Sequence, residues 1–138
     1  MIFLRKYTFI LFCLLLLIAG CSSNTSRTYF FEKTTGKEGK ARGEFNGPIG
    51  IAIDAQGFIY VSDSGNNRIQ KFSAEGKFIK TWGSEGDAKG QVNRPMHMSI
   101  GPDGNLYVAE YLNDRIQVFN REGTFIRFIG LKPDGESY

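Results

Sequence analysis

Two pairs of oppositely charged residues recur in this sequence at one spacing. Asp63 precedes Arg68 by five positions, and Glu110 precedes Arg115 by five. Residues separated in this way can face each other across a β-hairpin, where opposite charges attract. We therefore interpret both pairs as structural ion pairs that fix the loops between them.

The two loops enclosed by these pairs differ from each other. The first contains Ser64-Gly65 where the second contains Tyr111-Leu112. Variable loops on a constant framework are the usual place for ligand recognition, although Asn in a loop is also a common turn former. The candidate ligand-facing residues are Asn66, Asn67, Tyr111, Asn113 and Asp114.

An internal repeat positions both loops. A shift of 47 residues aligns residues 48–83 with residues 95–130, giving 15 identities in 36 positions without a gap. The linkers before these segments repeat as well, and residues 31–34 match residues 78–81 at three positions. The sequence therefore holds two full units preceded by the end of a third.

Each unit is predicted to form four short strands separated by turns that contain Gly. Apolar and β-branched runs occupy residues 49–53, 58–62, 68–72 and 77–82, with counterparts at 96–100, 105–109, 115–119 and 124–129. The first run is suited to burial on both faces. No segment after the N-terminal apolar run has a helical apolar period. We predict an all-β fold of two four-stranded antiparallel sheets plus one preceding strand at residues 30–35.

Four strands in about 40 to 45 residues is the size of a β-propeller blade. Within the first unit, Pro48-Ile-Gly-Ile-Ala-Ile-Asp54 and Gly57-Phe-Ile-Tyr-Val-Ser-Asp-Ser-Gly-Asn-Asn-Arg-Ile-Gln-Lys-Phe72 resemble the signature of an NHL repeat. The second unit departs from it, for example with His97 in place of Gly50. The resemblance implies a partial propeller of the six-bladed type over residues 30–138, with blades at 48–83 and 95–130.

His97 is the only histidine, and the resemblance places it on an innermost strand beside the central channel. Related propellers of the amidating-lyase type carry zinc-binding histidines near such positions. A catalytic zinc needs three protein ligands, which one histidine supplies only if other subunits or further blades contribute the rest. We therefore expect a partly buried, hydrogen-bonded His97 and predict no catalytic residue, no metal site and no cofactor.

The N-terminus predicts export. Arg5 and Lys6 precede an uncharged apolar run at residues 7–19, which is the layout of a signal peptide over residues 1–20. The run is shorter than the roughly 20 residues that a membrane-spanning helix needs.

The end of this segment, Ile18-Ala19-Gly20-Cys21, resembles the lipobox of bacterial lipoproteins. That resemblance implies cleavage before Cys21 and attachment of a lipid to its sulfur; an ordinary cleavage site with an incidental cysteine is the alternative. Residues 22–28 are polar and small, and we expect residues 21–29 to form a flexible tether between the lipid and the folded part. We expect an extracytoplasmic, lipid-anchored protein, held at the outer membrane in a diderm host because Ser22 follows the cysteine.

Charge argues against nucleic acid as a partner. The chain has 17 basic residues, and removing Arg5 and Lys6 with the signal leaves 15 against 14 acidic residues, a net charge of +1. The two signs are interspersed, so no polybasic stripe is available to bind phosphates.

These observations favour a non-enzymatic binding or scaffold module that is tethered to a membrane and contacts protein or glycan. The alternative is a fragment of an amidating-lyase-like or lactonase-like propeller enzyme whose metal ligands lie in missing blades. Two blades leave their outer faces uncovered. A truncated reading frame, self-assembly such as three chains giving six blades, and completion by a protein partner are the explanations that the sequence leaves open.

Overall fold

The structure is a computed structural model, and it describes residues 34–130. Within this range the chain forms two four-stranded antiparallel sheets, each with its strands in sequence order. We term them the first and second blade. The first contains β1 (Pro48–Ile53), β2 (Ile59–Asp63), β3 (Arg68–Phe72) and β4 (Phe78–Trp82). The second contains β5 (Pro95–Ile100), β6 (Leu106–Glu110), β7 (Arg115–Phe119) and β8 (Phe125–Ile129).

The predicted all-β class and the two four-stranded sheets are confirmed, and every strand boundary lies within one residue of its prediction. The only helical element between residues 34 and 130 is a short 3-10 turn at Ser64–Asn66. No helix in that part of the chain is long and apolar enough to cross a membrane. The predicted strand at residues 30–35 falls mostly outside the described residues, and Thr34 and Thr35 have no regular structure. The predicted signal peptide and tether also lie outside that range.

The turn between β1 and β2 shows how local chemistry builds a blade. The N–H of Gly57 donates to the Asp54 carbonyl at 2.9 Å, and Gly57 has a φ of 86°, which a glycine adopts without steric cost. The Asp54 carboxylate accepts the N–H groups of Gln56 and Phe58 at 3.0 Å each. This side chain therefore organises the hairpin that aligns the two inner strands.

The innermost strand of the first blade corrects one prediction. Ile51 and Ile53 are 64% and 60% exposed, whereas Gly50 and Ala52, on the opposite face, are buried. The expectation of burial on both faces was wrong for this strand. The second blade covers one face of β1, and within residues 34–130 no other blade covers the other face.

The main apolar core lies between the two blades. Ala52, Tyr60 and Ile69 of the first blade pack in one cluster with residues of the second blade and its linker, which are Val92, Leu106, Val108 and Phe119. The Trp82 ring centroid lies 6.2 Å from that of Tyr60 and 6.2 Å from that of Phe119. Pairing of the blades therefore supplies the apolar burial that stabilises both sheets.

Candidate functional site

The loop between β2 and β3 is organised around the carboxylate of Asp63, which is fully buried. Its Oδ2 atom accepts hydrogen bonds from Arg68 Nε at 2.7 Å, Asn66 Nδ2 at 2.9 Å and Gln70 Nε2 at 3.1 Å. Its Oδ1 atom accepts the backbone N–H of Asn46 at 2.7 Å. The structure thus brings the predicted Asp63–Arg68 pair together and surrounds the acid with donors, which offset the cost of burying its charge.

The donors of this network also hold the linker that precedes the first blade, residues 36–47. The Arg68 guanidinium donates to the carbonyls of Lys40, Ala41 and Glu44 at 2.8, 2.8 and 2.9 Å. Gln70 Nε2 donates to the Glu44 carbonyl at 2.7 Å. The ion pair therefore fastens the linker to the edge of its own blade.

The second blade repeats this arrangement with a longer acid. Arg115 Nε donates to Glu110 Oε1 at 3.2 Å, and the Asn93 N–H donates to Glu110 Oε2 at 3.1 Å. Asn113 and Gln117 also donate to the same carboxylate. Glu110 and Arg115 are 3% and 6% exposed. Because both carboxylates already accept several hydrogen bonds away from solvent, neither is positioned to act as a metal ligand or a proton carrier for an external substrate.

Two of the five candidate ligand-facing residues belong to these networks. Asn66 Nδ2 donates to the Gly39 carbonyl as well as to Asp63, and Asn113 Nδ2 donates to the Gly86 carbonyl, both at 2.9 Å. Their amides are engaged in holding the linkers.

The next position of each loop has a backbone role. Asn67 and Asp114 have φ values of 50° and 48°, a left-handed conformation that Asn and Asp tolerate better than most residues. Asn67 Oδ1 also accepts the backbone N–H of Arg94 at 2.8 Å, from the linker that precedes the second blade. Asp114 is exposed.

The most exposed apolar side chains of the second loop are Tyr111 and Leu112, at 61% and 55%. Leu112 was not among the predicted site residues. Its signal in the sequence was the contrast with Gly65, the residue at the same position of the first loop.

His97 lies on β5 and is exposed, so the expectation of a partly buried histidine was wrong. The next side chain, Met98, packs against the core between the blades, so His97 lies on the opposite face of β5. Within residues 34–130 no three His, Cys, Asp or Glu side chains come close enough together to hold a metal ion. Cys21, the predicted lipidation site, lies outside the described residues.

A second polar cluster, which sequence reasoning did not find, lies in the interface between the blades. The Tyr60 hydroxyl donates to Asp54 Oδ2 at 2.9 Å, and the Lys71 ammonium lies 4.4 Å above the Phe58 ring and 5.2 Å above the Tyr60 ring. Burial raises the pKa of Tyr60, and its hydrogen bond to Asp54 raises that pKa further. Burial alone would raise the pKa of Asp54, but the hydrogen bonds from Tyr60, Phe58 and Gln56 outweigh it and hold that pKa below its ordinary value.

Residues 45–72 match the NHL repeat. Over 46 residues the chain is 48% identical to Protein lin-41 of Caenorhabditis elegans, covering 33% of this chain and 4% of that protein. Over 43 residues it is 46% identical to the E3 ubiquitin-protein ligase TRIM71 of Mus musculus, covering 31% of this chain and 5% of that protein. It thus spans a small part of each relative's length.

Solved structures show the same propeller-like fold. A streptogramin B lyase superimposes with a TM-score of 0.51 at 25% identity, over 62% of this chain and 26% of that one. A protein of unknown function from Bacteroides caccae superimposes with a TM-score of 0.50 at 18% identity, over 69% of this chain and 33% of that one. The two sheets are therefore propeller-like, and the stretch that matches the NHL repeat ends with the third strand of the first sheet.

Proposed function

We propose that this chain is a membrane-tethered, extracytoplasmic binding module that contacts another protein through the loop between β6 and β7. The observation that carries the proposal is the exposure of Tyr111 and Leu112, which are adjacent, apolar and 61% and 55% exposed. Tyrosine is enriched among the residues that dominate binding energy at interfaces.

Repeated and unrepeated residues of the two blades have different roles, and this difference supports the proposal. The residues shared by the two repeats, such as Arg68 and Arg115, bind the linkers or carboxylates of their own blades. Tyr111 and Leu112 stand where the first repeat has Ser64 and Gly65, and both side chains are exposed in the described chain. Residues that do not serve the framework are the ones free to recognise a partner.

A photo-crosslinking experiment tests the binding surface. A benzophenone amino acid replaces Tyr111 in the full chain expressed in its native cells, and a matched variant carries it at Ala74, which is exposed on the turn between β3 and β4. We expect a discrete protein adduct from position 111 and none from position 74. Adducts of equal intensity from both positions, or an adduct sensitive to glycosidase instead of protease, would contradict a protein contact at this loop.

The tether is a separate part of the proposal, and its support is the lipobox-like sequence that ends at Cys21. Cells grown with an alkyne-labelled palmitate should incorporate label into the wild-type chain but not into the Cys21→Ser variant. The wild type should fractionate with membranes, with the outer membrane in a diderm host. Equal labelling of the two chains would contradict lipidation at this residue.

A fragment of a propeller enzyme is the second candidate, and the observation that favours it is the 25% identity to a streptogramin B lyase. In that case, metal ligands from further blades would complete a site beside His97. The test is incubation with a streptogramin B, with and without divalent metal, followed by mass spectrometry; the chain is purified from its native cells without dissociating subunits or partners that carry further blades. Metal-dependent turnover that is lost in the His97→Ala variant would favour this candidate over the binding module.

A further inference from the structure

A pocket of about 210 Å³ lies against the outermost strand of the first blade. Its walls come from β4 and from the linker that precedes the blade, and they are Phe78, Ile79, Lys80, Thr81 and Arg42. Every wall residue belongs to the first repeat, so the pocket is formed by one blade and its own linker. A cavity of about 150 Å³ accommodates benzene, and this pocket is therefore large enough for an aromatic ring.

The second blade shows what this space can hold. The two sheets pair their strands in the same register, and Thr81 and Phe128 each lie opposite the glutamine of the third strand. The Phe128 ring packs against the Phe125 ring, with the two centroids 4.6 Å apart. The equivalent of Phe125 is Phe78, a wall of the pocket. In the second blade a ring of the chain itself therefore occupies the space that Thr81 leaves open in the first.

A cation completes the surroundings of that ring. The guanidinium carbon of Arg115 lies 4.1 Å from the centroid of the Phe128 ring, and the face of an aromatic ring attracts a cation at this distance. The first blade has Arg68 at the equivalent position, and Arg68 donates to the carbonyl of Ala41, the residue before Arg42. The first blade thus keeps the aromatic wall and the arginine and lacks the ring.

The charges around the pocket favour an anionic group on its ligand. Arg42 is exposed and makes no ion pair with any residue between 34 and 130. Lys80, the other cation of the walls, donates to the Glu122 carbonyl at 2.6 Å. No acidic residue lines the pocket, and Glu44, two residues after Arg42, is paired with Lys37 at 3.1 Å. The planar guanidinium of Arg42 is therefore available to bind a carboxylate through two parallel hydrogen bonds.

We infer that this pocket binds a planar aromatic group that carries a carboxylate, either a free aromatic acid or the aromatic C-terminal residue of a peptide. The ring lies against Phe78, as the Phe128 ring lies against Phe125, and the carboxylate pairs with Arg42. The site belongs to the first blade and does not use Tyr111, so it is separate from the loop proposed to bind a protein. Phe128 is only half-buried although the first blade packs on the second, so a neighbouring blade does not close this part of the outer strand.

Exchange of the ring between the blades tests the inference. The full chain, labelled with ¹³C at isoleucine methyl groups and held in nonionic detergent, is titrated with N-acetylphenylalanine. Ile79 reports on the pocket, and Ile126 reports on the equivalent space of the second blade. We expect a saturable shift of the Ile79 signal alone in the wild type, with a Kd of about 1 mM for a ligand of this size.

Two variants should move that response in opposite directions. Thr81→Phe fills the pocket and should abolish the Ile79 shift, whereas Phe128→Thr opens the second space and should add a saturable shift at Ile126. Because one variant loses a site and the other gains one, misfolding of either does not produce the expected pair of results. The inference would be overturned by a wild-type Ile79 signal that does not respond below about 10 mM, by an undiminished shift in Thr81→Phe, or by an unchanged Ile126 signal in folded Phe128→Thr.

The role of the carboxylate is tested with N-acetylphenylalanine amide, which keeps the ring and loses the charge. The wild type should bind the acid at least about fivefold more tightly than the amide, and Arg42→Gln should bind the two alike. Equal affinities in the wild type would overturn the assignment of a carboxylate. A short peptide with a C-terminal phenylalanine then distinguishes the two sources. Tighter binding than N-acetylphenylalanine assigns the site to a peptide C-terminus and equal binding to a free aromatic acid, and both results support the site.

Discussion

Replacing Asp63 with Asn should destabilise the chain strongly, because the carboxylate accepts four hydrogen bonds in a site without solvent access. An amide that keeps its oxygen towards Arg68 must point its NH₂ group at the N–H of Asn46, where two donors then face each other. The three bonds at the remaining oxygen lose their charge, at about 1 kcal/mol each, and the orphaned N–H costs about 1 to 3 kcal/mol more. We expect a total loss of about 4 to 6 kcal/mol in the free energy of unfolding.

The assay is urea unfolding followed by tryptophan fluorescence, since Trp82 is the only tryptophan and lies in the interface between the blades. With a slope of about 1.5 kcal/mol per molar urea, the midpoint should fall by roughly 3 to 4 M. The matched control is Asp87→Asn, because Asp87 is exposed, and its expected effect is within about 0.5 kcal/mol. A loss below about 1 kcal/mol for Asp63→Asn, or equal losses for the two variants, would refute the reasoning.

Two further predictions concern the interface between the blades. The folded state holds the pKa of Asp54 below its ordinary value, so its contribution to stability is present above the unfolded pKa of about 3.9 and disappears as the pH falls through the folded value. Asp54→Asn should therefore flatten the loss of stability below about pH 4, as measured by urea midpoints at several pH values; an unchanged slope would contradict this. Gly50→Ala should cost about 1 to 3 kcal/mol by overpacking against the Met96 carbonyl, whereas His97→Ala, at the equivalent open position, should be close to neutral. Similar thermal midpoints for those two variants would mean that the blades do not approach as described.

The fold could be predicted from the sequence because the residue pattern of each strand occurs twice, 47 residues apart. The turns at Gly57 and Gly104 and the five-residue spacing from Asp63 to Arg68 are local signals, so they indicated the hairpins directly. The structure places Arg68 against the linker as well as against the acid. The linker carbonyls that accept hydrogen bonds from Arg68 could not be predicted from the sequence, because every residue has a backbone carbonyl.

The exposure of individual faces could not be predicted for a related reason. The run from Ile49 to Ile53 is apolar on both sides, and its burial depends on whether a neighbouring blade lies against each side. The cluster of Asp54, Tyr60 and Lys71 depends on packing between strands and between blades, which a pass along one unit does not reveal. His97 was expected to be partly buried because its strand is innermost, but it faces away from the first blade.

We propose that repeated residues build the blades and that the unrepeated pair in the second loop, Tyr111 and Leu112, binds a protein. Exchange of that pair for its counterpart in the first loop, Tyr111→Ser/Leu112→Gly, tests the claim most directly. Adducts formed by formaldehyde in native cells are quantified by mass spectrometry for the exchanged and wild-type chains, beside the urea midpoint of each. We predict at least a tenfold loss of the partner adduct with stability changed by no more than about 1 kcal/mol. An undiminished adduct in the folded, exchanged chain would contradict the claim.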